Sequence, residues 1–378
     1  MQTRGMNMDR IRKGNEALIL SLINSRGAMS RKDIAKAADL TPASVTMITG
    51  RMKEQGLLFE SGVEEGSAGA GRRKILLDIN KDYRHALSIN IEPEGASIAL
   101  TDLYGNAIGK KTLPMDTALS PEDFLQSLAK EAKKLIKKES ADRLLGAEVG
   151  ITGLVDPEKR RSLRAYGIWD REVAIADILE KELGLPVRVE NNVNAFASAE
   201  LLFGAGRFYD NLMLVKWGPG IGATVVIDGE IYEGRHGKAA ELGHFIVDPN
   251  GKQCSCGRRG CLETVASYPA LTEFCPFEMA DFGKIYAQEK AKQSKAFKGF
   301  SSAMDQFARM LVNAVTILAP NRIVLYGPMF SDEEVRSDLI ALVSRYDSSI
   351  RPDRFLFSSL SAREDYIGPA ADLIRAEL

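Results

Sequence analysis

Residues 241–263 read ELGHFIVDPNGKQCSCGRRGCLE, and this stretch decides how the rest of the sequence is interpreted. It holds three of the four cysteines, Cys254, Cys256 and Cys261, and His244 stands ten residues before the first of them. Thiolate and imidazole are ligands that Zn²⁺ prefers, and three sulfurs with one nitrogen complete a tetrahedron. The alternative is three buried cysteines and an ordinary loop histidine. Because the chain has only 3 His and 4 Cys, a chance cluster of four such residues is improbable. We therefore predict a structural Zn²⁺ site formed by these four residues.

The same stretch carries a family resemblance. Its pattern G-H-x₉-C-x-C-G-x₂-G-C-L-E resembles the zinc motif of the ROK proteins, a family of sugar kinases and transcriptional repressors. The preceding segment, GIGATVVIDGEIYEGRHGKAAELGH, is similar to the glycine-rich pattern of that family, with Thr224 where the pattern has Gly or Ala. The resemblance covers roughly residues 83–378. It implies two actin-like (ribonuclease-H-like) α/β lobes with a cleft between them.

Composition places the chain among ordinary globular proteins of more than one domain. A length of 378 residues exceeds what one hydrophobic core usually serves, and the hydrophobic and charged fractions are 45% and 27%. No apolar run is long enough to span a bilayer, and the polar N-terminus does not resemble a signal peptide. Cysteines grouped as a metal site favour a reducing compartment. These features predict a cytoplasmic protein with no membrane partner.

The first eighty residues have the pattern of a winged helix-turn-helix. Apolar residues recur at helical spacing between residues 9 and 24, Ser30 can cap a second helix, and Thr41 followed by Pro42 can begin a third. Two short β-like runs, 57–59 and 75–77, then flank a glycine-rich tip with basic residues. Residues 1–80 carry 13 Lys and Arg against 9 Asp and Glu, which suits an approach to phosphate. A small helical protein-interaction domain is the alternative, and it would leave the basic tip without a role.

In such a domain the third helix enters the major groove of DNA. Thr41, Ser44, Thr46 and Met47 are the predicted contacts of this helix, with Thr41 and Thr49 expected near phosphates, and Arg51 is assigned to the DNA backbone. The wing tip supplies Arg72 and Arg73, and guanidinium groups favour narrow A·T-rich minor grooves.

Strands and helices alternate after residue 85, which indicates an α/β architecture with mixed sheets. Together with the resemblance, this predicts a DNA-binding domain at 1–80, a first lobe at 81–195, and a second lobe at 196–365. The second lobe would contain the zinc motif and a dimer surface. The resemblance further implies that the C-terminal helix, residues 366–378, completes the first lobe.

Three segments decide whether the chain can phosphorylate a sugar. ROK kinases begin the first lobe with D-x-G-G-T, whereas the matching residues 90–94 read NIEPE, which lacks both glycines and adds two carboxylates. The kinases use an aspartate in E-N-D as the general base, whereas this chain has Asn192, an amide that cannot accept the proton. Pro219 stands where a later phosphate loop usually has Thr. We predict that the chain is not an enzyme.

The positions that hold the sugar in the family are retained more fully. The resemblance assigns sugar binding to Gly153, Asn191, Asn192, Glu241, His244 and Glu263, and Thr152 replaces a proline of the family in the loop of Gly153. Carboxylates and amides are common ligands of sugar hydroxyls. The alternative is that Glu241 and Glu263 only orient the zinc ligands.

The sequence therefore favours a sugar-responsive transcriptional regulator, most simply a repressor, with operator DNA and a sugar or sugar derivative as partners. An active sugar kinase with a DNA-binding appendage is the runner-up, and a regulator controlled by a partner protein is a third possibility. The symmetry of DNA recognition and the family resemblance predict a homodimer or a dimer of dimers.

Overall fold

The computed structural model describes residues 8–63, 74–234 and 239–378. The first domain contains three helices and a small antiparallel sheet of strand order β1-β3-β2. Its elements are α1 (Met8–Arg26), β1 (Met29–Ser30), α2 (Arg31–Ala38), α3 (Pro42–Glu54), β2 (Leu58–Val63) and β3 (Ile75–Ile79). The predicted caps are present, since the side chains of Ser30 and Thr41 accept from the backbone N–H of Asp33 and Ser44. A helix-turn-helix followed by a β-ribbon therefore occupies this part of the chain.

The first lobe is built on a five-stranded mixed sheet of order β10-β7-β4-β5-β6. Strands β4, β7 and β10 run parallel, whereas β4, β5 and β6 form an antiparallel meander. The elements are β4 (His85–Glu92), β5 (Gly95–Thr101), β6 (Ala107–Pro114), α4 (Pro121–Ile136), β7 (Leu144–Ile151), β8 (Leu154–Asp156), β9 (Arg161–Arg164), α5 (Ile175–Leu183) and β10 (Val187–Asn191). Helices α4 and α5 cover one face of the sheet and share an apolar core with it.

The second lobe repeats this plan with a five-stranded sheet of order β13-β12-β11-β14-β15. Strands β11 and β14 are fully or almost fully buried, as expected for the centre of a sheet that is covered on both faces. From residue 192 onward the elements of the chain are α6 (Asn192–Phe203), β11 (Leu212–Trp217), β12 (Ile221–Ile227), β13 (Glu230–Ile231), α7 (Glu263–Ala266), α8 (Tyr268–Thr272), α9 (Phe282–Ala291), α10 (Lys295–Leu318), β14 (Arg322–Tyr326), α11 (Glu333–Tyr346), β15 (Phe355–Phe357) and α12 (Glu364–Glu377). The predicted α/β fold with two lobes is confirmed.

Helices α6 and α12 join the two lobes. They pack against each other, and their apolar side chains share one core with residues of both sheets and of the first domain. Helix α12 lies against β4 and β7, so the C-terminal segment packs on the first-lobe sheet. Helix α6 is continuous across the predicted boundary at residue 195 and ends against the first domain, where the Asn24 side chain donates to the Leu202 carbonyl at 2.7 Å.

Within the described residues, no helix combines the length and the apolar character needed to cross a bilayer.

Candidate functional site

The cysteine cluster forms in the second lobe, where His244, Cys254 and Cys261 are buried and Cys256 is partly exposed. The ligand atoms of His244, Cys254, Cys256 and Cys261 all lie within 4.8 Å of one another. Cys254 Sγ lies 3.5 Å from His244 Nδ1, and Cys256 Sγ lies 3.6 Å from Cys261 Sγ. Burial, with a contribution from the nearby Arg258, lowers the pKa of His244 to about 4, so the imidazole is neutral. A neutral imidazole with three thiols in this arrangement can hold a metal ion.

Tight backbone packing brings the cysteines together. The Gly260 carbonyl accepts from the Val247 and Asp248 N–H groups at 2.8 and 3.2 Å, and the Gly260 N–H donates to the Lys252 carbonyl at 2.8 Å. Gly260 has a φ of +65°, and a Cβ atom there would lie 1.5 Å from the Asp248 carbonyl oxygen. Only glycine fits this position, because the backbone of Asp248 occupies the space of a side chain and the φ is positive.

A cleft between the two lobes lies directly beside this cluster. All six residues that the sequence assigned to sugar binding line it, namely Gly153, Asn191, Asn192, Glu241, His244 and Glu263. His244 is therefore shared, because its Nδ1 faces the cysteines while its Nε2 lies 3.7 Å from Glu241 Oε2. Convergence of amides, carboxylates and an imidazole in one cleft suits a ligand with several hydroxyl groups.

Asn191 connects the first lobe to helix α6. Its side-chain oxygen accepts from the Val193 and Asn194 N–H groups at 2.8 and 3.3 Å, which caps α6, and its Nδ2 donates to the Gly153 carbonyl at 2.8 Å. Gly153 has a φ of +101°, and a Cβ atom there would lie 2.3 Å from the Arg164 carbonyl oxygen. These two residues thus fix the cleft wall, and one Nδ2 hydrogen of Asn191 is left for a ligand.

The two carboxylates differ in their surroundings. Glu263 begins α7, and its Oε2 accepts from the Ile221 N–H at 3.1 Å; burial raises the pKa of Glu263 to about 7. Glu241 precedes the turn of His244 and faces the imidazole from the side opposite the cysteines. The role of orienting a metal ligand therefore fits Glu241, whereas Glu263 stabilises the loop before β12.

The floor of the cleft carries an ion pair that the sequence did not reveal. Lys216 Nζ lies 2.7 Å from Glu92 Oε1 and 3.3 Å from Glu364 Oε1. Asn192 Nδ2 donates to Glu92 Oε1 at 2.5 Å, and Thr152 Oγ1 donates to Glu92 Oε2 at 3.1 Å. Glu92 is one of the two carboxylates that the segment NIEPE adds to this loop, and Lys216 balances its charge.

Two residues that line the cleft were not predicted from the sequence. Lys216 is the one charged residue in the otherwise apolar strand LMLVKW and is 8% exposed, a signal that could have been read as a functional lysine. Tyr166 follows β9 of the first lobe and meets His244 of the second lobe edge to face, with ring centroids 5.3 Å apart. Nothing in the local sequence of Tyr166 indicates this contact, since it depends on how the lobes face each other.

The predicted DNA-contacting residues of α3 lie on its open side. Met47 is 69% exposed; the Thr41 and Ser44 hydroxyls lie 2.9 Å apart, and Thr46 Oγ1 donates to the Pro42 carbonyl. Helix α3 therefore presents one exposed side over its first two turns, as a recognition helix must, while Val45 and Ile48 face the core.

The other residues of this domain that were predicted to contact DNA do not lie on the exposed side of α3 or lie outside the described residues. Thr49 is fully buried and accepts from Arg31 Nε at 3.1 Å, so its expected place near phosphate was wrong. The Arg51 guanidinium donates to Glu16 of α1, which ties it to the protein. Arg72 and Arg73 lie outside the described residues.

Comparison with known proteins agrees with this geometry. The family model described as "ROK family" matches residues 87–371. The N-acetylglucosamine repressor of Escherichia coli O157:H7 is 32% identical over 71% of this chain and 66% of its own length. The xylose repressor of Bacillus subtilis (strain 168) is 30% identical over 69% of this chain and 67% of its own length.

Solved structures extend the likeness to the first domain. A ROK family transcriptional regulator described as a homolog of the E. coli MLC protein has a TM-score of 0.78 at 27% identity, covering 98% of this chain and 97% of that chain. A ROK hexokinase from Thermus thermophilus shares the fold with a TM-score of 0.63 at 24% identity, covering 76% of this chain and 97% of the hexokinase. The family model alone spans well over half of the sequence, and this chain belongs to the ROK family.

Proposed function

We propose that this chain is a sugar-responsive transcriptional repressor whose ROK body acts as a sensor without catalysis. One observation carries the proposal: an exposed recognition-type helix and a cleft lined by six predicted sugar ligands lie in one packed chain. The names of the two relatives, both sugar repressors, support it.

The geometry of the cleft floor supports the absence of phosphoryl transfer. Transfer to a sugar hydroxyl requires a phosphate cradle and a residue that accepts the hydroxyl proton. Asn192 cannot accept a proton, and its Nδ2 already donates to Glu92 and to Thr152. Pro93 has no N–H to offer a phosphate, and the Glu92 carboxylate stands beside it.

An active sugar kinase is the competing function, and ATP turnover separates the two. We expect no sugar-dependent ADP release when the protein is incubated with MgATP and D-glucose, D-xylose or N-acetyl-D-glucosamine. Sugar-dependent release above the rate without sugar would contradict the sensor proposal.

Zinc is the metal that the cluster fits best. Zn–S bonds of about 2.3 Å and Zn–N bonds of about 2.0 Å in a tetrahedron give edges of about 3.8 Å between sulfurs and about 3.5 Å between nitrogen and sulfur. The Cys256–Cys261 and His244–Cys254 distances are 3.6 and 3.5 Å, and all four ligand atoms lie within 4.8 Å of one another. A bound ion would hold His244 and the loop after it, and so support one wall of the cleft.

An exposed apolar groove lies next to the metal cluster. Exposed apolar side chains of the segment after His244 and of the end of α10 line one shallow groove, with Ile246 at 53% and Ile317 at 76% exposure. Apolar exposure of this kind is typical of protein–protein interfaces. We assign the homodimer contact to this surface, since a two-fold dimer presents two recognition helices to a palindromic operator.

Selection of binding sites followed by titration tests the function. Full-length protein would first select sequences from a random duplex library, and fluorescence anisotropy would then follow its binding to the selected DNA with and without each sugar. We expect selected half-sites related by a two-fold axis, and a sugar that weakens DNA binding. A protein that binds the DNA but shows neither this shift nor a thermal shift with any sugar would instead fit a regulator controlled by a partner protein.

A further inference from the structure

The ion pair of Lys216 joins elements from opposite sides of the cleft. Lys216 lies on β11, the central strand of the second-lobe sheet, and is 8% exposed. Its partners belong to the first lobe or pack on it: Glu92 ends β4 and Glu364 begins α12. Rotation of one sheet relative to the other must therefore stretch or break this contact.

The Glu92 carboxylate is also the centre of a hydrogen-bond network that reaches the ligand-facing wall. It accepts from Asn192 at 2.5 Å and from Thr152 at 3.1 Å, and Asn90 Nδ2 lies 3.4 Å from it. Asn192 and Thr152 both line the cleft beside the predicted sugar ligands. A ligand hydroxyl that accepts from Asn192 competes with Glu92 for the same amide hydrogens.

Charge favours the paired state of this network. Burial acts to raise the pKa of Glu92, but the Lys216 ammonium and the hydrogen bonds from Lys216, Asn192 and Thr152 lower it below its ordinary value. Burial likewise acts to lower the pKa of Lys216, and the carboxylates of Glu92 and Glu364 raise it above its ordinary value. A buried ammonium left without these partners would be strongly unfavourable, so the pair resists separation.

We propose that Lys216 and Glu92 form an internal latch across the floor of the cleft, and that this latch sets the separation of the two lobes. Lys216 acts as a positioning residue, because through Glu92 it also holds Asn192 and Thr152 in the orientation that faces a ligand. The latch goes beyond the proposed function and is independent of DNA binding; only its sensitivity to an occupant rests on the sugar-sensing role. Glu92 is thus the counter-ion of the Lys216 ammonium, and no anion from solution is needed to balance it.

The test measures the separation of the lobes directly and needs neither sugar nor DNA. Fluorophores on non-natural amino acids at the exposed residues Glu158 and Glu333, one in each lobe, avoid the cysteines. Excess unlabelled protein restricts energy transfer to one chain of any dimer. The distance distribution is compared for the full-length protein, Lys216→Met and Glu92→Gln.

Lys290→Met is a matched control. Lys290 also contacts two carboxylates, Glu334 at 2.8 Å and Asp338 at 2.5 Å, but both lie in the second lobe. We expect Lys216→Met to broaden the distance distribution or shift it to longer distances, Glu92→Gln to do so to a smaller extent, and Lys290→Met to leave it unchanged.

Unchanged distributions in folded Lys216→Met and Glu92→Gln would overturn the latch, and so would an equal change in Lys290→Met. If Lys216→Met does not fold, Glu92→Gln decides alone, because its side chain keeps the shape of glutamate and one acceptor oxygen while removing the negative charge. Failure of the sugar-sensing proposal would leave this measurement unaffected, so the two can be judged separately.

Discussion

His244 is the residue on which the metal cluster and the cleft both depend. Its Nδ1 faces Cys254 and its Nε2 faces Glu241, so movement of the imidazole would disturb both places. Tyr166 packs against the same ring from the opposite lobe. Loss of a bound metal ion is therefore expected to disturb the position of cleft residues as well as the cysteine loop.

Replacing a cysteine of the cluster tests this dependence. We expect Cys256→Ser to lose stoichiometric zinc, as measured by mass spectrometry of the purified protein, and to lower the melting temperature, because three remaining ligands bind zinc less tightly. Cys275→Ser is the control, since Cys275 lies outside the cluster. Full zinc content in Cys256→Ser, or none in the unmodified protein, would contradict the assignment.

A second prediction for a single residue concerns Glu190 and the dependence of stability on pH. Burial, with the nearby Asp372 carboxylate, raises the pKa of Glu190 to about 7, above its ordinary value of 4.5. Between about pH 4.5 and about pH 7 the folded state therefore binds more protons than the unfolded state. The free energy of unfolding consequently falls as the pH rises through this range.

Glu190→Gln removes this ionisation and keeps the oxygen that accepts from Asn191 N–H and Asn194 Nδ2. Relative to the unmodified protein, we expect the variant to gain about 1–3 kcal/mol in free energy of unfolding between pH 5 and pH 8. Urea unfolding at four pH values measures it. A difference that does not vary with pH would show that Glu190 titrates near its ordinary pKa.

At the scale of elements, the metal loop depends on close backbone packing as well as on its ligands. Gly257 and Gly260 both have positive φ, at +90° and +65°, but only Gly260 has atoms where a Cβ would stand. We expect Gly257→Ala to cost about 1–3 kcal/mol through backbone strain alone, and Gly260→Ala to cost more and to lose metal. Thermal unfolding and metal content distinguish them, and equal losses would mean that the contact with Asp248 is not limiting.

Helix α3 is the element that we propose to contact DNA. Met47→Glu adds a negative charge at a position that is 69% exposed, so its fold should be unaffected while its affinity for the selected DNA falls more than about tenfold. Ile108→Glu, at 51% exposure on an edge strand of the first lobe, is the control that should bind normally. Equal affinities for Met47→Glu and the control would remove α3 from the interface.

At the scale of the whole molecule, the apolar groove beside the metal cluster is the surface that we propose as the dimer contact. Ile317→Glu places a charge at its most exposed apolar side chain, and we expect the protein to become monomeric and to lose affinity for a palindromic site. Light scattering after size exclusion measures the mass, with Ile108→Glu again as control. A dimer that persists in Ile317→Glu would place the contact elsewhere.

Local features of this protein could be predicted from the amino-acid sequence. The spacing of His244 and the cysteines identified the metal cluster, and Ser30 and Thr41 marked the starts of their helices, because such ligands and caps lie within a few residues or one loop of each other. The alternation of strands and helices gave the α/β fold, and the resemblance placed all six cleft residues. Short-range spacing is enough where the interacting groups are neighbours in the chain.

Contacts between side chains far apart in the chain could not be predicted in this way and are seen in the folded protein. Glu92 and Lys216 are 124 residues apart, and their pairing follows from the way two separate sheets face each other across α6 and α12. The burial of Thr49 and the approach of Tyr166 to His244 have the same origin. Each of these contacts depends on the relative orientation of whole elements, which is fixed by the packing of the shared core and is not encoded in the residues around any one position.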